Sequence, residues 1–185
     1  MLSRNRRFQH EKGRKEYAVL IKGNVEGEEN VPVRIESACV TGTALHSAGC
    51  DCSQQLDRAF DIVTEHGSGV IMYMLPEEGR GLGLAKKIRI YAQMAKRGDG
   101  DSHAAAADLG YTEDARDHQD AALILADLGV RSVQIITNNP DKPQKLTRAG
   151  INVSGIISAE VPATELTKPY LRSKQRRGHN FQQPL

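Results

Sequence analysis

All three cysteines of this 185-residue chain, Cys39, Cys50 and Cys52, lie in one short segment with the spacing C-x10-C-x-C. Thiolates are good zinc ligands, and a structural zinc site usually has four protein ligands. A fourth ligand such as His46 would make the site structural, whereas a water molecule in that position would make it catalytic. Three buried core cysteines are another alternative, although C-x-C within the polar segment Gly49–Gln54 is a poor core pattern. The clustering favours a catalytic zinc, and disulfides are not expected because no secretion signal is visible.

A glycine-rich segment, Glu77–Leu84 (EEGRGLGL), follows an apolar stretch and precedes a helical pattern. Backbone amides in such loops and at helix N-termini bind anions, and Arg80 adds a bidentate donor for phosphate. The segment therefore predicts a nucleotide-binding loop. An ordinary strand-to-helix turn would look similar, so the pattern by itself does not decide the function.

A second polar junction, Thr137–Pro140 (TNNP), also lies between a predicted strand and a predicted helix. Thr137 is a candidate phosphate contact, and Lys142 is placed to neutralise phosphate charge. The same segment fits a helix cap, with Asn139 as N-cap and Pro140 in the first turn. The two interpretations are compatible.

An acid and an arginine stand two positions apart in the segment EDARDH, just before a predicted helix. Asp114 is a candidate proton acceptor and Arg116 a candidate phosphate-directed group, with Asp117 next to them. Charged residues of this kind are also typical of any exposed loop, so the segment needs the context of the rest of the site.

Predicted strands and helices alternate along the chain, which indicates an α/β fold of one domain. The predicted strands are Tyr17–Lys22, Val31–Ile35, Gly69–Leu75, Ser132–Ile136 and Ile151–Ile157. The predicted helices are Ser53–His66, Leu84 to about Gly98, Asp117–Leu128 and Pro140 to about Ala149. Residues 99–114 give no clear pattern. We expect residues 1–16 to be a basic extension and residues 17–185 the catalytic domain, whose basic tail, residues 170–185, packs on or reaches over the site.

Composition narrows the function classes. The net charge of +2 is too small to indicate nucleic-acid binding by itself, and 39% hydrophobic residues suffice for a core. Apolar runs are far shorter than the ~20 residues that span a bilayer. We expect a cytoplasmic protein that does not bind membranes. The basic N-terminus is interpreted as a solvated segment, whereas the basic C-terminal run is better suited to phosphate.

Seven segments together resemble the GTP cyclohydrolase II family over residues 31–179. They are CVTG…CDCSQQL, EGRGLGL, KIRIYA, LGYTEDARD, LGVRSVQIITNNPDK, AGINV and YLRSKQRRGH, and they occur in that order. One of these segments would mean little, but seven in order are a specific signature. The resemblance implies a mixed sheet with flanking helices.

The resemblance also implies a reaction and roles for residues. Zinc on Cys39, Cys50 and Cys52 would deliver water to C8 of GTP, so that the imidazole ring opens and formate leaves. Pyrophosphate would leave after attack on the α-phosphate, which gives a 2,5-diamino-6-ribosylamino-pyrimidinone 5'-phosphate. Arg116 matches the family's nucleophile, Asp114 its proton acceptor and Tyr91 a tyrosine near the ring. Mg²⁺ on the phosphates and a homodimer are implied as well. The nucleotide-binding positions are Arg34, Gln55, Glu78, Gly79, Arg80, Ser102, Thr137 and Lys142.

Some positions depart from the family pattern. Ala38 and Gly49 stand where the family usually has Glu and Arg, and Ala104 replaces a Glu. These departures leave open a diverged enzyme that acts on another nucleotide in a specialised or pyrimidine-catabolic pathway. A zinc-stabilised RNA-binding module is the alternative outside enzymes. The sequence does not favour it, because only Phe8 and Phe181 lie near the basic ends to stack on bases.

Overall fold

The computed structural model describes residues 4–9, 15–111, 114, 116 and 118–182, and the first of these ranges as backbone only. A mixed sheet of six strands forms the centre of the fold. The strands are β1 (Arg4–Gln9), β2 (Glu16–Lys22), β3 (Val31–Ser37), β4 (Gly69–Met74), β5 (Val133–Ile136) and β6 (Val153–Ile157). Their order across the sheet is β1-β2-β4-β3-β5-β6.

The sheet has an antiparallel half and a parallel half. β2 pairs antiparallel with both β1 and β4, whereas β3 pairs parallel with β4 and β5, and β5 pairs parallel with β6. This confirms the expected α/β class with a mixed sheet. No strand is predicted within residues 1–16, yet the backbone of β1 pairs with β2 from Arg4 opposite Ile21 to Gln9 opposite Glu16. That segment lacks the apolar alternation that would have indicated a strand.

The helices are α1 (Val40–Thr43), α2 (Cys52–His66), α3 (Leu84–Arg97), α4 (Ser102–Asp108), α5 (Gln119–Asp127), α6 (Asp141–Arg148) and α7 (Lys168–Arg176). A short 3-10 helix, Leu75–Glu77, follows β4. The four predicted helices are confirmed as α2, α3, α5 and α6. Pro140 is the N-cap of α6 rather than its first helical residue, and Asn139 accepts from the Asp141 N–H at 2.9 Å. Asp117, the predicted start of α5, lies outside the described residues.

The two faces of the sheet carry different side chains because neighbouring strand residues point to opposite sides. On β3, Val33 and Ile35 join Leu125 of α5 and Leu146 of α6 in a buried group that we call the first core. The second core lies against α2 on the other face and contains Ala59, Ile62, Val63, Ile71, Ile136 and Ala159. Arg34 and Glu36 of β3 are polar residues on that second face, where Arg34 reaches α2.

The C-terminal helix packs back onto the domain. Leu171 of α7 is almost fully buried. Four residues at or after the start of α7 line the main cavity, as expected of a tail that packs on the site: Tyr170, Lys174, Arg177 and His179. Of the helices that the structure describes, none combines the length and the apolar character needed to cross a bilayer.

Candidate active site

The candidate site lies at the carboxyl ends of β3, β4 and β5, the edge where ligands commonly bind in α/β sheets. Cys39 follows β3, the glycine-rich loop follows β4 and Thr137 follows β5. A cavity of about 650 Å³ opens at this edge. All residues predicted for the site line it except Glu78: Arg34, Cys39, Cys50, Cys52, Gln55, Gly79, Arg80, Tyr91, Ser102, Asp114, Arg116, Thr137 and Lys142.

The three cysteines converge at one end of the cavity. Their Sγ atoms lie within 4.8 Å of one another, and those of Cys39 and Cys50 are 3.8 Å apart. Gly42 of α1 packs directly against them. A Cβ at this position would lie 2.8 Å from the Sγ of Cys50 and 3.0 Å from that of Cys39. The short helix can therefore approach the sulfurs only because residue 42 has no side chain.

The cysteine trio fits a zinc ion. Three thiols are a soft donor set of the kind that zinc accepts. Within the part of the chain that the structure describes, this trio is the one group of three or more His, Cys, Asp or Glu donors that converge closely enough for a metal. His46 is exposed and is not part of the group. Among the described residues the group thus offers three ligands, which is compatible with the open fourth position of a catalytic zinc.

Lys87 of α3 lies beside the thiols. Its Nζ donates to the Cys39 Sγ at 3.1 Å and to the Glu78 Oε1 at 2.6 Å. The Glu78 Oε2 accepts from the backbone N–H of Val40 at 2.7 Å, so this carboxylate is bound to Lys87 and Val40 and does not line the cavity. Hydrogen bonds from Cys50 and Cys52, with that of Lys87, hold the pKa of the Cys39 thiol well below its usual range. Cys39 is thus prepared to bind a metal as thiolate.

Tyr91 lies one helical turn beyond Lys87 on α3. Its hydroxyl is 3.2 Å from the Thr41 Oγ1, which in turn lies 3.6 Å from the Cys39 Sγ. Burial raises the pKa of Tyr91, so the phenol stays protonated at neutral pH. The structure therefore brings a proton-bearing group next to the cysteine trio.

Asp114 and Arg116 form a bidentate ion pair in the cavity wall. The Arg116 Nε donates to the Asp114 Oδ1 at 2.8 Å, and the Nη2 donates to Oδ2 at 2.6 Å. Burial opposes ionisation of Asp114, but the hydrogen bonds and charge of Arg116 outweigh it and hold the pKa of the carboxyl well below its usual range. The remaining Nη1 donates to the Ser37 Oγ at 2.9 Å. The guanidinium is therefore held from two sides.

Lys142 and Thr137 line the same cavity. The Lys142 Nζ donates to the backbone carbonyl of Ile35 at 2.6 Å. Burial, together with the positive charges of Arg34 and Arg116, lowers the pKa of Lys142 to about 7. The Thr137 Oγ1 accepts from the Asn139 N–H at 3.0 Å, so this residue both caps the turn and faces the cavity.

The glycine-rich loop positions Arg80. Its backbone has a positive φ of 59°, as has that of Gly79, which tightens the turn between β4 and α3. The Arg80 Nη2 donates to the Ser102 Oγ at 2.5 Å, which joins this loop to the N-terminus of α4. Arg80 and Ser102, predicted from separate segments, are thus adjacent in the structure.

Arg34 was predicted to contact the nucleotide, but all three nitrogen atoms of its guanidinium donate hydrogen bonds within the protein. The Nε donates to the Glu36 Oε2 at 2.7 Å, and the Nη2 donates to the Gln55 Oε1 at 2.9 Å. The Nη1 donates to the carbonyl of Ile136 at 3.0 Å. The charge of Arg34 is balanced by Glu36, and its donors hold β3, β5 and α2 together beneath the cavity.

The family model described as GTP cyclohydrolase II matches residues 3–158. The chain belongs to the GTP cyclohydrolase II family. The match confirms the resemblance seen in the sequence, and it begins within the segment that was expected to be an extension.

Similar proteins come from bacteria and a plant. GTP cyclohydrolase-2 of Streptomyces coelicolor is 43% identical over 171 residues, which cover 92% of this chain and 75% of that protein. Riboflavin biosynthesis protein RibBA of Nocardia farcinica is 40% identical over 90% of this chain and 40% of its own length. Monofunctional riboflavin biosynthesis protein RIBA 3, chloroplastic, of Arabidopsis thaliana is 38% identical over 92% of this chain and 34% of its own length. The chain therefore spans well under half the length of the last two relatives.

Several polar residues of this GTP cyclohydrolase II family member were not predicted for the site. Two of them had a usable signal. Glu36 stands two positions after Arg34 on a strand, which places both on one face, and Lys87 stands four positions before Tyr91 on a helix. The others lie in segments that the sequence analysis singled out, but no pattern predicts the contacts that the fold gives them: Asp51, Glu77, His118 and Lys174.

Proposed function

We propose that the chain hydrolyses GTP, opening the imidazole ring at C8 and releasing formate and pyrophosphate. The proposal rests on one observation above all. The cysteine trio and the Asp114–Arg116 ion pair line the same cavity of about 650 Å³, so one bound nucleotide can meet both. The proposed product is a 2,5-diamino-6-ribosylamino-pyrimidinone 5'-phosphate.

Cys39, Cys50 and Cys52 would hold zinc, which when bound supplies a hydroxide at neutral pH by lowering the pKa of its water to about 7. The residues around it prepare the ring-opening step. Lys87 contributes, after the hydrogen bonds of Cys50 and Cys52, to keeping Cys39 in the thiolate form. Tyr91, whose pKa is raised further by burial, has a phenolic O–H that can donate to the base as the ring opens.

We propose that polar residues of the cavity bind the triphosphate. Arg80, Lys142 and Thr137 line the cavity. The two cations would stabilise the negative charge that develops as pyrophosphate leaves, and Thr137 would donate a hydrogen bond to phosphate. Mg²⁺ would be bound mainly through the substrate phosphates, as is usual for this ion.

Arg116 is the proposed nucleophile for the α-phosphate. An Nη atom forms the new bond to phosphorus, the bond from phosphorus to the β-phosphate oxygen breaks, and the proton passes to Asp114. The low pKa of Asp114 keeps it ionised and able to orient the guanidinium through two hydrogen bonds. Water then hydrolyses the phosphorus–nitrogen bond and frees Arg116.

Two alternatives are less well supported. The names of the similar proteins refer to GTP cyclohydrolase-2 and to riboflavin biosynthesis, which favours GTP over another nucleotide and a place in that pathway. An RNA-binding module has no need of an Asp–Arg pair beside a metal site. Lys174 and Arg177, basic residues near the C-terminus, line the cavity and are thus placed to help bind a nucleotide.

We also propose that the protein is cytoplasmic and forms a homodimer.

The test is to incubate the zinc-loaded protein with GTP and Mg²⁺ and to measure formate, pyrophosphate and the nucleotide product by mass spectrometry and coupled assay. We expect formate and pyrophosphate in equal amounts with a diaminopyrimidine product. A folded, zinc-loaded protein that leaves GTP intact would contradict the proposal, and other nucleotides would then be screened.

A pair of aspartate variants tests the mechanism. Asp114→Ala should lower kcat by about 100-fold or more, because general acid–base groups contribute at least that much. Asp108→Ala is the matched control, since Asp108 binds Arg97 at 2.8 Å on the surface and does not line the cavity. Equal activity of the two variants would contradict the role of Asp114.

A further inference from the structure

Glu77 forms hydrogen bonds with two residues near Arg116, namely Ser37 and His118. It is the last residue of the 3-10 helix after β4 and is buried. Its Oε2 accepts a hydrogen bond from the Ser37 Oγ, and Ser37 accepts one from the Arg116 Nη1 at 2.9 Å. Its Oε1 lies 2.8 Å from the Nδ1 of His118. One carboxylate thus contacts the side chain of His118 directly and that of Arg116 through Ser37.

The direction of these hydrogen bonds follows from the charge of Glu77. The hydrogen bond of His118 outweighs burial and lowers the pKa of Glu77, so its carboxylate is ionised and only accepts. Ser37 must therefore point its single hydroxyl hydrogen at Glu77, which leaves a lone pair of Oγ for the guanidinium. His118 must carry a hydrogen on Nδ1 for the same reason.

A second cavity lies next to Arg116 and Glu77. It measures about 200 Å³ and is lined by Arg116, Glu77 and His118, with Tyr17 and Asp120 among its other residues. Arg116 therefore lies in the wall between this cavity and the larger one. Without its bond to Ser37, the guanidinium has space on both sides, and Asp114 would be the one hydrogen-bond partner left to it among the described side chains.

We propose that Glu77 is a positioning residue that, through Ser37 and His118, holds the guanidinium of Arg116 on the substrate side of the wall between the two cavities. This inference rests on the proposed role of Arg116 in the reaction. Glu77 itself does not touch the reacting atoms. It sets the direction of the Ser37 hydroxyl and fixes His118 at the start of α5, where the backbone has a positive φ of 61°.

The first part of the test compares two variants of Ser37. Ser37→Ala removes the hydroxyl, and we expect kcat to fall between about 10-fold and about 100-fold, because small misplacements of a reacting group have effects of this size. KM should stay close to that of the wild type. Ser37→Thr keeps the hydroxyl and should restore most of the lost kcat. Unchanged kcat in Ser37→Ala, or a loss confined to KM, would overturn the proposal.

The second part is a double-mutant cycle with Glu77→Ala. If the two residues act in series, Ser37→Ala/Glu77→Ala should be no slower than the slower single variant. Independent effects that multiply would overturn the proposal. Zinc content should equal that of the wild type in all variants, since none of them removes a thiol.

The third part does not depend on activity. Crystal structures of the wild type and of Glu77→Ala should differ in the position of the Arg116 guanidinium, which we expect to move toward the second cavity. An unmoved guanidinium would overturn the positioning role. A wild type that releases no formate or pyrophosphate would instead refute the proposed function, so the two failures are distinguishable.

Discussion

Lys87 is placed to adjust the metal site without being a ligand. Its Nζ lies 3.1 Å from the Cys39 Sγ and is a charged donor in a buried position. Lys87→Met keeps much of the side-chain volume but removes this donor. We expect zinc affinity to fall about 10-fold to 100-fold, as is typical when a partner of a metal ligand is lost. Competition with a chelator of known affinity measures the change.

The neighbouring lysine provides the control for this prediction. Lys86 is exposed and lies over the ring of Tyr111, 5.3 Å from its centroid, rather than near the thiols. Lys86→Met should therefore bind zinc like the wild type. Equal zinc affinity in both variants would mean that the Lys87 ammonium does not stabilise the thiolate.

The lowered pKa of Lys142 predicts how nucleotide affinity depends on pH. Its pKa of about 7 in the free protein is low because of burial and the nearby arginines. A bound triphosphate favours the charged form and raises that pKa, so binding takes up a proton. Affinity should be greatest below about pH 7 and fall as the pH rises through the free pKa, by at most about 10-fold per pH unit. Isothermal titration calorimetry with GTP in buffers of different ionisation enthalpy measures the proton uptake.

Two lysine variants separate this effect from titration of the free nucleotide, which is the same in every experiment. Lys142→Met should bind GTP more weakly and lose the pH dependence that is due to the protein. Lys96→Met, an exposed position on α3, should keep both the affinity and the dependence. A pH profile of Lys142→Met that matches the wild type would assign the proton uptake to another group.

At the scale of elements, α7 is joined to the N-terminus of α2 by a buried ion pair. The Lys174 Nζ donates to the Asp51 Oδ1 at 2.8 Å, and the side chain of Asp51 is only 2% exposed. Lys174→Met leaves this carboxylate buried without its cation, which typically lowers the free energy of unfolding by about 3 kcal/mol. Urea denaturation followed by circular dichroism measures the loss.

The same helix contains a control. Lys168 pairs with Glu165 at 2.6 Å, but the Glu165 side chain is 87% exposed. Exposed pairs contribute little to stability because water and salt screen them, so Lys168→Met should unfold close to the wild-type midpoint. Similar losses of unfolding free energy in both variants would show that the buried pair contributes no more to stability than the exposed pair.

The elements also show what the sequence could and could not predict. Helices α2, α3, α5 and α6 are predictable because their apolar residues recur at helical spacing or because glycine and proline mark their ends. α4 is not, since an alanine run has weak periodicity. Its position depends on Asp101, which accepts from the N–H groups of His103 and Ala104, and on packing of Ala105 and Ala106 against Ile90.

The site likewise contains residues that the sequence predicts and residues that it does not. The cysteine trio is predictable because its members are close in the sequence and share one chemistry. The Glu77–His118 and Asp51–Lys174 pairs join residues 41 and 123 positions apart, and neither partner stands in a pattern that indicates a pair. Only the order of strands in the sheet brings such residues together, and the sequence does not state that order.

At the scale of the whole molecule, the two faces of the sheet differ: the first packs the larger apolar core, and the second carries both the smaller core and polar residues beneath the site. The first core lies between the sheet and helices α5 and α6, whereas the second face holds Arg34, Glu36 and the contact with Gln55. The first core contains the larger set of buried apolar residues, and we therefore expect it to dominate stability. Polar residues on the second face can then serve the site.

Two leucines of α5 test this division. Leu125 is fully buried in the first core, whereas Leu123 is 59% exposed on the same helix. Leu125→Ala should lower the free energy of unfolding by about 2–5 kcal/mol, because it removes buried methyl groups and leaves a cavity. Leu123→Ala should change it by no more than about 0.5 kcal/mol. If Leu125→Ala still binds zinc with wild-type affinity while its unfolding midpoint falls, the apolar face supplies stability independently of the metal site. A matching loss of zinc affinity in the folded variant would instead show that packing on the first face determines the geometry of the cysteine trio on the second.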